Sequence, residues 1–321
     1  MEQDPRPQVP AEVGGCPPPV RFIDRRTGKV VEEQVYGEAF LRWAYGSTSG
    51  RMAVFLLAKR PFFSHWYGWQ MARPGSRALM RKFVRDYGVD TGECAALDSF
   101  ESFNDFFCRR LKPGARPVDG APGRVVFPAD GRHLCLPDLA AADGFFVKGQ
   151  HFDLERFLLD ADLADKLRGG ALLCSRLCPV DYHRFHFPVA GRAGRSRKID
   201  GPLFSVSPIA LARRLACLWE NKRAVSVIES PECGIVAMVE VGATCVGTVR
   251  QSYEPGRVVA KGEEKGWFAF GGSCVVTLFQ RDRIAFDPDL VANSARGLET
   301  YARMGEGCGT ARPGGGGMEV L

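Results

Sequence analysis

The sequence predicts an α+β protein, with a helical N-terminal region followed by a largely antiparallel, β-rich core. Two stretches near the front, Glu38 to Tyr45 and Gly50 to Arg60, carry apolar side chains at helical spacing and few strand formers. From about Pro117 the texture changes to short runs rich in Val, Ile and Phe separated by Gly, Asp and Pro, which suits antiparallel strands. The 321 residues are 45% hydrophobic and 25% charged, a folded composition that excludes wholesale disorder, collagen-like repeats and coiled coil.

Residues 1–20, with Pro10 and Pro17 to Pro19, read as a disordered leader without a signal-peptide pattern. Arg21 to Val31 reads as a short hairpin turning at Thr27-Gly28. Pro61 and Pro74 then punctuate a mainly helical region that runs to residue 116. The core spans 117–305, with strand-like runs at Arg124 to Phe127, Gly144 to Val147, Gly234 to Val241, Ala243 to Val249 and Cys274 to Leu278. Helical patterns interrupt it at Asp153 to Leu167 and Ile209 to Cys217. Gly314 to Gly317 mark residues 306–321 as a flexible tail.

The net charge of +6 is too mild by itself to indicate nucleic-acid binding, but it is concentrated. Between Arg51 and Arg85 stand eight basic residues and no acidic one, interleaved with Phe55, Phe62, Phe63, Trp66, Tyr67, Trp69 and Phe83. Cations among amphipathic aromatics suit an anionic membrane surface, although the same aromatics could equally pack inward. The longest apolar run of the first hundred residues, Met52 to Ala58, falls far short of the roughly 20 residues of a spanning helix. Eleven cysteines without scaffold spacing fit a reducing compartment, and Cys174 and Cys178 lack the second ligand pair that zinc needs, so no metal is expected.

Two of the five histidines fall in Asp181-Tyr182-His183-Arg184-Phe185-His186, a density that favours acid–base chemistry. Asp130 ends a strand-like run at Pro128-Ala129-Asp130-Gly131, which alone is an ordinary Asp-Gly turn. Gly271-Gly272 precede Ser273 and an apolar strand. That arrangement suits either a hairpin turn or a serine whose own peptide bond is attacked, since paired glycines open backbone conformations closed to other residues.

Together, from about Arg21 to Phe286, these motifs resemble the phosphatidylserine decarboxylase family of pyruvoyl-dependent enzymes. The resemblance rests on Tyr36-Gly37, Lys59-Arg60-Pro61-Phe62-Phe63-Ser64, Tyr67-Gly68-Trp69, Phe103-Asn104-Asp105-Phe106-Phe107 and Arg109 to Pro117. It continues through Pro128 to Gly131, Val147-Lys148-Gly149, Asp181 to His186, Val241-Gly242-Ala243 and Lys261 to Ser273. The chain is nearer the branch with Gly-Gly-Ser than the one with Leu-Gly-Ser. Cys274, where the family more often has Thr or Ser, and Phe127 depart from the pattern.

The resemblance implies a proenzyme that cuts itself between Gly272 and Ser273, leaving a large chain 1–272 and a small chain 273–321 as a heterodimer. It implies Asp130, His186 and Ser273 as the charge relay of that cleavage, Ser273 as the source of a covalent pyruvoyl cofactor, and His183 as a decarboxylation residue. Phosphatidylserine would react as a Schiff base on the pyruvoyl ketone and leave as phosphatidylethanolamine. It also implies a peripheral position on the cytoplasmic side of the cell membrane through about 51–85, with no nucleic-acid partner, and leaves a higher oligomer open. Two other readings are an Asp-His-Ser hydrolase that never cuts itself, which lacks the nucleophile-elbow motif, and a non-catalytic lipid-binding module.

Overall fold

A computed structural model describes residues 19–35, 37–50, 52–53, 61–141, 152–211, 216–243, 248–269 and 273–312. The chain opens with a hairpin of β1 (Arg21–Asp24) and β2 (Lys29–Glu32). Its turn is held by the Asp24 carboxylate, which accepts the Arg26 and Thr27 N–H groups, and by Gly28 at φ 67°. Helices follow: α1 (Glu38–Gly46), α2 (Pro61–Ala72), α3 (Arg77–Tyr87) and the short α4 (Phe103–Phe107), whose first turn is capped by Ser102. Met71, Met80, Phe83, Phe100, Phe103, Phe106 and Phe107 form the common core of α2, α3 and α4, while Ala44 and Tyr45 of α1 pack with Ala210.

The body adds β3 (Arg124–Val126), β4 (Gly131–Leu136), α5 (Leu154–Leu158), α6 (Ala161–Leu167), β5 (Ala171–Leu177), β6 (Arg184–His186), β7 (Gly191–Ala193) and β8 (Arg197–Ile199). It continues with α7 (Pro208–Leu211), α8 (Cys217–Glu220), β9 (Arg223–Ser230), β10 (Gly234–Val241), β11 (Val249–Gln251), β12 (Val258–Val259) and β13 (Glu264–Phe268). It closes with β14 (Ser273–Phe279), β15 (Ile284–Phe286), α9 (Pro288–Ala295), β16 (Glu299–Ala302) and β17 (Gly307–Ala311).

Eleven strands make one sheet, ordered β12-β7-β9-β10-β14-β5-β4-β16-β1-β2 with β8 beside β9. Its pairings are antiparallel except β1 with β16. Two smaller sheets, β11-β13-β6 and β15-β17-β3, complete the described structure, an α+β fold as the sequence predicts. Because successive side chains alternate across a strand, β14 serves two cores. Val275 and Phe279 join Leu177, Phe185, Phe187 and Phe268 on one face, while Cys274, Val276 and Leu278 join Leu172 and Cys174 on the other.

The core boundary drawn at residue 305 is too short. Gly307–Ala311 pairs with both β3 and β15, and its glycines suit that crowding, since a Cβ on Gly309 would meet the Ala285 carbonyl oxygen at 2.6 Å. The strand read at Gly144 to Val147, the leader up to residue 18 and the tail from 313 lie outside the described residues.

Candidate active site

Ser273 is the first residue of β14 and is fully buried. Leu177 of β5 stands directly opposite it, and the Arg132–Arg176 pairing of β4 with β5 brings Gly131 to the same level. A Cβ at Gly131 would lie 2.4 Å from the Arg176 carbonyl oxygen, so the residue after Asp130 must be glycine for the strands to close. Asp130 therefore begins about 10 Å from Ser273, two strand spacings away. Among the described residues the Ser273 hydroxyl has no hydrogen-bond partner, an uncommon state for a buried polar atom. Gly272, on the other side of the predicted cut, lies outside the described residues.

His186 ends β6, and its backbone N–H donates to the Pro128 carbonyl at 2.7 Å, tying it to the turn that carries Asp130. Its Nδ1 lies 2.9 Å from the Gly262 carbonyl, which can only accept, so Nδ1 bears the proton and Nε2 is the basic nitrogen. The Tyr182 hydroxyl stands 3.3 Å from that Nε2. Burial pushes the imidazole below its ordinary range, against the pull of the Gly262 carbonyl and of the Glu264 and Asp130 charges.

Asp130, 1% exposed, accepts Arg116 Nε at 2.8 and 2.9 Å, Arg116 Nη2 at 2.5 Å and the Met304 N–H at 2.8 Å. Arg116 also pairs with Glu93 at 2.9 Å, and Glu93 with Arg303 at 2.8 Å. The structure thus brings Asp130 and His186 into one neighbourhood without a hydrogen bond between them, and Ser273 bonds to neither. The Gly262 carbonyl, rather than Asp130, holds the imidazole tautomer.

His183 is buried with its ring 3.8 Å from the Phe107 ring, and its Nδ1–H donates to the Asp181 carbonyl at 2.9 Å. The Asp181 carboxylate accepts the Cys178 N–H at 2.7 Å and Arg132 Nη1 at 2.5 Å, which fixes the turn that presents His183. Behind it, Arg176 joins Glu33, Glu299 and the Cys178 thiol. Against its burial, the Arg176 and Arg132 guanidiniums hold the Glu33 carboxyl down to about 2. Among the described residues no cluster of three or more His, Cys, Asp or Glu could hold a metal ion.

A cleft of about 490 Å³ opens beside this centre, between α4 and the β6–β13 pair, bordered by Asn104, Asp105, Cys108, Arg184 and Trp267. Arg184 adjoins His183 in sequence and lies 4.9 Å from the Trp267 ring centroid. Sequence reasoning did not single out Arg116, Gly262 or Met304. Arg116 lay in plain view within the Arg109 to Pro117 motif, whereas a carbonyl and an amide acting through the backbone leave no side-chain signal.

A family model described as phosphatidylserine decarboxylase matches residues 103–310. A phosphatidylserine decarboxylase proenzyme of Chlamydia trachomatis serovar D is 45% identical over 289 residues, 90% of this chain and 96% of the relative. Proenzymes of the same name from Fusobacterium nucleatum and Clostridium perfringens are 40% and 39% identical, covering 91% and 90% of this chain and 98% and 99% of theirs.

Proposed function

The chain belongs to the phosphatidylserine decarboxylase family, and from that premise we propose that it cuts itself before Ser273 and decarboxylates phosphatidylserine to phosphatidylethanolamine. The observation that best supports this reading is Ser273 itself, a buried serine with an unpartnered hydroxyl at the head of a central strand, directly after two glycines. A pyruvoyl group made from it would sit where no hydrogen bond among the described residues has to be given up, so the residue fits the group.

In the self-cleavage, His186 Nε2 takes the Ser273 hydroxyl proton and Oγ attacks the Gly272 carbonyl; the C–N bond then breaks as the proton passes to the residue-273 nitrogen, leaving an ester and a free amine. Elimination across Cα–Cβ of residue 273 releases Gly272 as a carboxylate. One water then displaces ammonia from the remaining dehydroalanine and leaves the ketone. That ketone supplies a partner for the substrate amine and a sink for the electrons released with carbon dioxide. His183, on the turn fastened by Asp181 and Arg132, acts in the decarboxylation stage as acid or substrate contact.

A lipid substrate requires contact with a bilayer. No helix among the described residues is long and apolar enough to cross one. Trp66 and Trp69 on α2 and Leu79 on α3 are exposed within the basic window, and they support a peripheral contact with a membrane surface.

A denaturing gel with intact masses tests the reading. Wild type should give chains of 272 and 49 residues, the smaller blocked by pyruvoyl, and Ser273→Ala a single chain. The two should co-elute under native conditions, because β14 stays hydrogen-bonded between β10 and β5. A folded wild type that stays whole sinks the proposal.

A further inference from the structure

Arg116 is 7% exposed in its side chain and sends Nε and Nη2 onto the two oxygens of a carboxylate that is itself buried. A guanidinium that presents two nitrogens in one plane fixes a carboxylate's orientation, which a lysine ammonium, a single point charge, does not. The third donor, the Met304 N–H, comes from the segment that self-cleavage would place on the small chain. Arg116 is braced in turn by Glu93, and Glu93 by Arg303, so a ladder of alternating charges runs from solvent to Asp130.

We propose that Arg116 is a positioning residue for self-cleavage: it compensates the buried Asp130 charge and sets the direction in which that carboxylate faces His186. The inference rests on the reading above, in which Asp130 serves the cleavage. Asp130 acts on His186 across space in this arrangement, since Arg116 and Met304 occupy it and the Gly262 carbonyl occupies His186 Nδ1. Loss of Arg116 leaves a buried carboxylate with one backbone donor, free to turn away from the imidazole or to take up a proton.

The test follows the division of freshly translated full-length chain with time. Arg116→Met should divide at least 100-fold more slowly than wild type, and Arg116→Lys about 10-fold more slowly with a melting temperature close to wild type. Added guanidinium should accelerate Arg116→Ala while tetramethylammonium does not, a recovery that a purely structural defect would not show. Where Arg116→Met does not fold, Arg116→Lys decides. Wild-type speed in Arg116→Lys or in folded Arg116→Met, or failure of guanidinium to act on folded Arg116→Ala, overturns the inference while leaving self-cleavage standing. A wild type that never divides overturns the self-cleavage reading and this inference with it.

Discussion

Cys274 Sγ lies 3.4 Å from Cys174 Sγ, across the β14–β5 pairing and on the face of the sheet opposite Ser273. The residue that departs from the family pattern beside the predicted cut therefore projects into a separate apolar core. The Cys174 thiol and burial push the Cys274 thiol far above its ordinary range, so it stays a neutral packing group. Cys274→Thr should divide within about threefold of the wild-type rate on a timed gel. Its stability should fall by about 1–3 kcal/mol, because a hydroxyl would enter that apolar core. A tenfold change in cleavage at unchanged stability would show instead that the thiol reaches the reacting bond.

His133 is a fully buried histidine on β4. Its Nε2–H donates to the Ala302 carbonyl at 3.3 Å, Nδ1 accepts from Ser175 Oγ at 2.9 Å, and burial pushes the imidazole down to about 3. The folded value lies below the unfolded one of about 6.5, so the unfolded chain binds the extra proton between them. The contribution is complete above about 6.5 and is lost as pH falls, by up to about 1.4 kcal/mol per pH unit. Glu33 weakens the fold only below its ordinary value of 4.5. His186 acts in the same direction as His133, so the comparison is made between variants. Urea midpoints of wild type and His133→Asn at about pH 5.2, inside that window, and about pH 7, above it, should show a shallower acid loss in the variant. Equal slopes would assign the loss elsewhere.

The stretches that announced themselves in the sequence are those whose environment is simple. Gly234 to Val241 is apolar at nearly every position because both faces of β10 are covered, and it forms a strand over that whole range. Ala171–Leu177 and Arg223–Ser230 are as deeply buried but escaped notice, because Ser175, Arg176, Arg223 and Ser226 interrupt their apolar pattern. Those residues are buried for reasons distant in sequence: Arg176 meets Glu33 and Glu299, and Arg223 meets the carbonyls of Arg156 and Phe157. The parallel pairing of β1 with β16 joins residues nearly 280 positions apart, which no local pattern encodes. Within the site, Ser273, His183 and His186 stood out by residue type. The clamp on Asp130 depends on tertiary placement.

Lys265 and Glu240 are both fully buried, with Nζ donating to Glu240 Oε1 at 2.8 Å and to Gln251 Oε1 at 2.9 Å. Burial pulls the lysine down and pushes the glutamate up, and their attraction opposes both. Removing one partner strands a charge in a dry core, so Glu240→Leu or Lys265→Met alone should cost about 3–5 kcal/mol. The double variant should recover most of that loss in a urea titration, since replacing a buried pair with apolar groups is often close to neutral. Additive losses in the double variant would mean the two charges are not coupled.

The basic window is less bare than its sequence suggests, and this sharpens the test of membrane contact. Arg81 Nη2 lies 2.5 Å and Arg77 Nη2 3.4 Å from the Asp98 carboxylate, while Arg85 reaches Asp86 at 3.4 Å. All three pairs are solvent-exposed, where such contacts contribute little and exchange readily for lipid phosphates. Arg51, Lys59 and Arg60 lie outside the described residues. The aromatics divide: Tyr67 packs on the helical core, whereas Trp66 and Trp69 are exposed and the Arg73 guanidinium lies 4.2 Å from the Trp69 ring centroid. Neutralising Arg77, Arg81, Lys82 and Arg85 together should weaken binding to phosphatidylserine-containing vesicles by at least tenfold while chain division continues. Asp98→Asn should strengthen it about fivefold, because a competing anion is removed. Both effects should shrink in high salt, as interactions between exposed charges do. Unchanged vesicle binding in the quadruple variant would place the membrane contact on another surface.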